Sequence, residues 1–201
     1  MVRIKMCGMT TPQDAAAAAE AGASSIGIIA FESSPRYLPP SGVAAIRRVL
    51  PPWVSITVVA PDADIASKYD ADVWQLYKMP QQDPGVPIIY ALRVAPASQV
   101  EALVNAPDFA RALLFDAYHP NLMGGSGSVI DDSIASRLFS ETCRVPRILA
   151  GGLTPDNVGP AVQKFSPWGV DVSSGIESAP GVKCHSKILA FANAAFGNVR
   201  C

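Results

Sequence analysis

The sequence predicts a small α/β protein of the (β/α)8 TIM-barrel type, and three observations carry that reading. Eight short apolar runs alternate with amphipathic segments along 201 residues, the pattern of repeated βαβ units in one domain. Most of the runs are continuously apolar, as strands buried on both faces of a parallel sheet must be. The first run ends in Cys7-Gly8, with no Gly-x-Gly-x-x-Gly turn behind it, which argues against an open dinucleotide-binding sheet. A single domain over residues 1–201 lies at the short end of the size range for such barrels, roughly 200 to 400 residues.

The elements follow in order. Residues 2–6 form the first strand. Thr10-Thr11-Pro12 then supplies an N-cap and a proline in the first helical turn, and the Ala-rich helix stops at Gly22. Residues 25–30 are the second strand. Ser41 caps a helix to about residue 50, and residues 54–59 are the third strand. A short helix over 62–68 precedes the fourth and fifth strands, at 72–76 and 87–92. Helix 97–105, strand 112–115, helix 131–140, strand 147–150, helix 154–164, strand 169–172 and helix 182–195 complete the series.

One unit is defective. Between Leu76 and Pro87 the chain carries Pro80, Pro84 and Gly85, which break any helix. The fourth helix is therefore absent or reduced to a turn, leaving the barrel wall bare near strands four and five. Bare apolar surface calls for a cover, and a second subunit in a homodimer would supply it.

Composition excludes several classes of function. With 49% hydrophobic residues the chain is not disordered, and a net charge of −1 without a polybasic face gives no electrostatic handle for nucleic acid or an anionic membrane. No apolar run approaches the roughly 18 residues of a membrane span, and the charged start Met-Val-Arg-Ile-Lys-Met is not that of a signal peptide. The four cysteines form no C-x-x-C pair and read as free thiols in the cytoplasm; with only two histidines, no metal centre is expected.

Barrel active sites lie at the C-terminal ends of the strands. The polar residues there are Cys7, Arg36, Gln75, Asp116, the loop Gly124-Gly125-Ser126-Gly127, the pair Gly151-Gly152, and Asp171 with Ser173-Ser174-Gly175. The last two loops read as a phosphate site, because glycine lets backbone N–H groups approach an oxyanion closely and barrels often hold phosphate after strands seven and eight. Each loop alone also reads as an ordinary tight turn. Cys7 reads either as a small buried hydrophobe or as a working thiolate. Lys5, two residues earlier, points to the same face and would favour ionisation. Asp116 either caps a turn or, with its pKa raised in a partly dry mouth, serves as a general acid. Arg36 is either solvated or a bidentate clamp for a carboxylate. His119 has no partner at fixed spacing and is assigned nothing.

Taken together, five pieces resemble the phosphoribosylanthranilate isomerases. They are Ile4-Lys-Met-Cys-Gly-Met-Thr10; Ser34-Pro-Arg-Tyr-Leu-Pro39; Leu114-Phe-Asp-Ala-Tyr118 with Gly124-Gly-Ser-Gly127; Leu149-Ala-Gly-Gly-Leu-Thr-Pro-Asp-Asn-Val158; and Gly169-Val-Asp-Val-Ser-Ser-Gly-Ile-Glu177 followed by Pro180-Gly-Val-Lys183. The resemblance implies an Amadori rearrangement of a phosphorylated small molecule in tryptophan biosynthesis, needing no cofactor. It implies Cys7 as general base, Asp116 as general acid, and Arg36 on the anthranilate. It places the phosphate on Gly151, Gly152, Ser173, Ser174 and Gly175. Lys5, Gln75, Gly125 and Asp171 complete the expected substrate contacts. The chain departs from the family pattern at Tyr77, where Val-Gln-Leu-His-Gly is usual, at Val129-Ile-Asp-Asp132, where Phe-Asp-Trp is expected, and at Cys184, where Asp is common. The rival readings are a related aminoaldose-phosphate isomerase, disfavoured by Cys7 and by the lack of a second glycine pair in Val59-Ala-Pro-Asp62, and a non-catalytic barrel scaffold, disfavoured by the retained Cys7 and Asp116.

Overall fold

The computed structural model describes residues 1–95, 98–117 and 130–197. Eight parallel strands close in chain order into a barrel: β1 (Arg3–Cys7), β2 (Ser25–Ile29), β3 (Ser55–Ala60), β4 (Val73–Leu76), β5 (Ile88–Val94), β6 (Ala110–Ala117), β7 (Arg147–Leu149) and β8 (Gly169–Val172). The last strand pairs with the first, Lys5 lying beside Asp171. Helices α1 (Pro12–Glu20), α2 (Val43–Arg47), α3 (Ala63–Ala66), α4 (Val100–Leu103), α5 (Asp132–Ser140), α6 (Val158–Phe165) and α7 (His185–Ala195) follow all strands but β4. No helix among the described residues is long and apolar enough to cross a membrane.

Strand alternation divides the side chains into two sets. Ile4, Met6, Ile26, Ile28, Ile56, Val58, Leu76, Leu113 and Phe115 point outward and form the main core against the helices. A smaller cluster of Ala91, Ala112, Leu114, Ile148 and Ala150 packs inside the barrel. Three of these five are alanines, which leaves the interior room for polar groups. Ser25 bonds Thr57 there at 2.7 Å, and Lys5 meets Asp171 at 3.0 Å. A cavity of about 230 Å³ opens at the N-terminal end of the barrel, but its one buried charge, Lys5, is already committed to Asp171.

Several local signals act as expected. Thr11 caps α1 through a bond from the Asp14 amide, with Pro12 at the first helical position, an arrangement worth about 1 kcal/mol. Asp62 and Asp131 cap α3 and α5 in the same way. Others do not. Ser41 is not a cap: it sits within a 3-10 turn over Pro40–Gly42, and α2 begins only at Val43. Helix α4 is a single turn from Val100, and α6 starts at Val158 because residues 154–157 are held in a turn by Asn157. Residues 182–183 are not helical: β10 (Val182–Lys183) pairs antiparallel with β9 (Glu177–Ala179), and the last helix begins after that hairpin.

The missing helix after β4 is a fact of the fold. The segment between β4 and β5 lies over the wall instead, with Met79 and Val86 packed on the core beside Tyr90 and Leu92, all four half-buried.

Candidate active site

Inward-facing positions at the C-terminal ends of the strands converge on one mouth. Cys7 ends β1 and is buried, and Gly27 on β2 makes room for it: a Cβ there would lie 2.6 Å from the Cys7 Sγ and 2.8 Å from its Cα. Two residues below, Lys5 donates to Asp171 at 3.0 Å, and that pair keeps the ammonium charged although burial opposes it. Lys5 favours the thiolate of Cys7, as its place two residues earlier on the strand suggests, but it does not decide the balance. Burial pushes the thiol up from its ordinary value of 9.0, Lys5 opposes this without reversing it, and the Asp171 charge adds to the rise.

Asp116 lies near the end of β6, half-buried and paired in register with Arg93 of β5. Burial raises its carboxyl to about 6, Asp171 adds to the rise, and Arg93 and Lys5 hold it back. Burial raises the hydroxyl of Tyr77, just beyond β4, and the charges of Asp116, Cys7 and Asp171 add to the rise while Arg93 opposes it. Its ring meets Phe31 edge-on at 5.9 Å and lies 5.4 Å from the Arg93 guanidinium. Gln75 is buried with its Oε1 unpartnered among the described residues.

The glycine loops border the same mouth. Gly151 and Gly152 have φ of +83° and +62°, a conformation that glycine adopts without strain. Asn157 fixes this turn by accepting from the Thr154 amide at 2.7 Å and donating to the Gly152 carbonyl at 2.9 Å. The loop after β8 packs directly onto it: a Cβ on Gly175 would lie 1.9 Å from the Leu153 carbonyl oxygen. The Ser173 Oγ is buried and unpartnered among the described residues, a donor ready for an anion. Gly151 also approaches the acid, since a Cβ on it would stand 3.0 Å from the Asp116 Oδ1.

Arg36 is not solvated. Its Nε and Nη2 bond both oxygens of Glu177 at 2.8 and 2.7 Å, and Lys183 donates to the same carboxylate at 2.7 Å and to the Ser173 carbonyl at 3.0 Å. Burial alone would raise the Glu177 carboxyl, but the bonds from Arg36 and Lys183 outweigh it and hold the group below its usual range. The β9–β10 hairpin thus anchors both the Arg36 loop and the β8 loop. Glu177 and Lys183 had a sequence signal, since both stand in the quoted family motifs, yet they were assigned no role. Arg93 was not among the expected residues either; it follows Ala91 by two positions on an inward-facing strand and lies beside Asp116 in register. The expected contact Gly125, and His119 with it, lie outside the described residues.

A family model described as N-(5'phosphoribosyl)anthranilate (PRA) isomerase matches residues 4–194. The chain belongs to the phosphoribosylanthranilate isomerase family. It is 40% identical to the N-(5'-phosphoribosyl)anthranilate isomerase of Geobacter sp. (strain M21), over 95% of this chain and 96% of that one. The isomerase of Neisseria meningitidis serogroup B is 39% identical, over 94% of each chain. Among solved structures, phosphoribosyl anthranilate isomerase from Thermotoga maritima superposes with a TM-score of 0.84 at 31% identity, covering 98% of this chain and all of that one. A family structure in complex with reduced 1-(o-carboxyphenylamino)-1-deoxyribulose 5-phosphate has a TM-score of 0.77 at 30% identity, covering 98% of this chain and 100% of that one. The protein is an isomerase of this family.

Proposed function

We propose that the chain converts N-(5-phosphoribosyl)anthranilate to 1-(2-carboxyphenylamino)-1-deoxyribulose 5-phosphate in the cytoplasm, with Cys7 as general base and Asp116 as general acid. The observation that carries this reading is a buried thiol and a carboxyl raised to about 6 on inward positions of one mouth, bordered by two loops suited to phosphate. The phosphate sits on the amides of Gly151, Gly152, Ser174 and Gly175 and on the Ser173 hydroxyl. Asp171 and Gln75 take sugar hydroxyls. Arg36, fixed by Glu177, turns its remaining Nη1 edge to the anthranilate.

The chemistry is redox-neutral and retains every atom of the substrate. Protonated Asp116 donates to the ribose ring oxygen as the C1–O bond breaks, and the nitrogen lone pair forms a C1=N iminium. The Cys7 thiolate removes the C2 proton, and those electrons make a C1=C2 enolamine while the iminium is discharged. Tautomerisation places the carbonyl at C2. Mixing the protein with freshly made phosphoribosylanthranilate should speed the decay of anthranilate-type fluorescence far above buffer, and Cys7→Ala should remove that acceleration. Decay at the buffer rate, identical in Cys7→Ala, would overturn this reading and leave the scaffold reading standing.

The half-buried apolar residues Met79, Val86, Tyr90 and Leu92 beside the missing helix also support a homodimer formed over β4 and β5. A Thermotoga maritima relative with a TM-score of 0.78 is described as a dimeric phosphoribosylanthranilate isomerase from which monomers were generated. Sedimentation equilibrium should return twice the 21.1 kDa chain mass at micromolar concentration, and a monomer mass throughout would refute the dimer.

A further inference from the structure

We propose that the β9–β10 hairpin couples the two ends of the substrate site, with Glu177 and Lys183 as positioning residues, an inference that rests on the isomerase reading above. The substrate of that reading carries an anion at each end, a phosphate over the β7 and β8 loops and a carboxylate near Arg36. Glu177 and Lys183 lie behind both ends, their side chains 4% and 0% exposed. They act through the groups they hold.

The bonded path between the two ends is short. The Lys183 Nζ donates to the Ser173 carbonyl at 3.0 Å and to the Glu177 Oε1 at 2.7 Å. That same Oε1 accepts from the Arg36 Nε at 2.8 Å, and Oε2 accepts from Nη2 at 2.7 Å. One shared oxygen thus links the phosphate loop to the arginine. Two close approaches tie the same parts together. A Cβ on Gly181, in the hairpin turn at φ +81°, would lie 2.5 Å from the Pro35 carbonyl oxygen, so the turn abuts the backbone of the Arg36 loop. A Cβ on Gly8, just past β1, would lie 2.7 Å from the Arg36 Cδ and 3.2 Å from the Ser173 Oγ. Both side chains therefore close on one glycine.

Charge-assisted bonds in a dry place are short and strong, and removing one partner leaves the others buried without compensation. The hairpin is held as a stiff frame. An anion that settles the β8 loop thereby settles Arg36, and by linkage the effect runs equally in the other direction. Two anions held side by side otherwise repel, so unlinked ends would weaken each other. Tighter binding of the second anion is the mark of the frame.

The test uses inorganic phosphate for one end and anthranilate, followed by its fluorescence, for the other. Dissociation constants for anthranilate are measured with and without saturating phosphate at constant ionic strength, on the wild type, Lys183→Met and Glu177→Gln, each checked for a cooperative thermal transition. Phosphate should tighten anthranilate about tenfold in the wild type, a usual size for coupling between sites. Lys183→Met keeps the Arg36–Glu177 pair but cuts the link to Ser173, and should bring that factor to twofold or less. Glu177→Gln cuts the path on the other side and should do the same. In turnover, Lys183→Met should raise KM at least tenfold with kcat within about threefold, since the frame positions the two ends and touches neither C1 nor C2. A wild-type factor of one or below would overturn the proposal, whether or not the variants fold. So would a factor unchanged in either folded variant, or a Lys183→Met loss confined to kcat. Wild type that turns over phosphoribosylanthranilate without coupling sinks the frame alone, whereas wild type that neither turns it over nor binds anthranilate sinks the isomerase reading beneath it.

Discussion

Asp116→Asn is expected to lower kcat by about 10²- to 10⁴-fold, the usual contribution of a general acid, while KM moves by less than about threefold. The amide has the size of the carboxyl it replaces and can still accept from the Ala117 backbone, one of the contacts that tune the native group, but it has no proton to give to the ring oxygen. A loss confined to kcat marks an interaction made in the transition state. The same substitution at a residue that merely caps a turn would lower stability and spare the rate. Steady-state kinetics beside a thermal melt separate the two.

The charges around Asp116 also set the pH dependence. Asp116 titrates at about 6 and the Cys7 thiol above 9.0, so at neutral pH the proton rests on sulfur and the carboxyl is ionised. The reaction needs the reverse. Both arrangements hold one proton between the two groups, so their ratio does not change with pH, and the reactive form is a constant minority between the two limbs. The rate should therefore rise as pH passes about 6, where the second proton leaves the pair. It should fall above the thiol's pKa, where the last proton is lost. The acid of the mechanism thus owns the acidic limb. The substrate's phosphate titrates in the same region, but only a limb due to Asp116 will move when a neighbour changes. Arg93 holds the Asp116 value down, so Arg93→Gln should shift the limb to higher pH.

Gly175→Ala is expected to raise KM at least 100-fold and to lower the melting temperature by about 5 °C or more. Its Cβ would fall 1.9 Å from the Leu153 carbonyl oxygen, 2.9 Å from that carbonyl carbon and 3.2 Å from the Thr154 Cα. All three are backbone atoms and cannot swing aside, so the β8 loop must lift off the β7 loop. Overpacking of this kind costs about 1–3 kcal/mol or more, and the lift separates the two rows of amides that are to hold one phosphate. Inhibition by inorganic phosphate should weaken in parallel with KM. Gly85→Ala is the control. Nothing lies within 4 Å of its Cβ, so only the strain of its positive φ remains and KM should not move.

The fold was legible because its signals are local and repeated. Each strand is a short apolar run between Gly, Pro or Asp punctuation, and the prolines at 80 and 84 announce the missing helix within eleven residues of sequence. Boundaries failed where a tertiary partner decided them. Ser41 has the residue type of a cap but lies in a 3-10 turn, and residues 182–183 continue an apolar helical pattern yet pair with β9. The site divided in the same way. Cys7, Asp116 and the glycine loops stand at strand ends, so position alone nominates them. What Arg36 does depends on Glu177, 141 residues away, and no spacing rule reaches that far. The ionisation of Cys7 likewise turned on burial, which outweighs the neighbouring ammonium and has no sequence signature at a single residue.

The most direct test of a thiol and a carboxyl working as one proton-transfer pair is kcat/KM measured from about pH 5 to about pH 10 on the wild type and on Cys7→Ser. The account predicts a bell for the wild type, rising near 6 and falling above 9.0, and residual Cys7→Ser activity whose alkaline limb is gone. A flat wild-type profile, or an alkaline limb that survives the loss of the thiol, would contradict it.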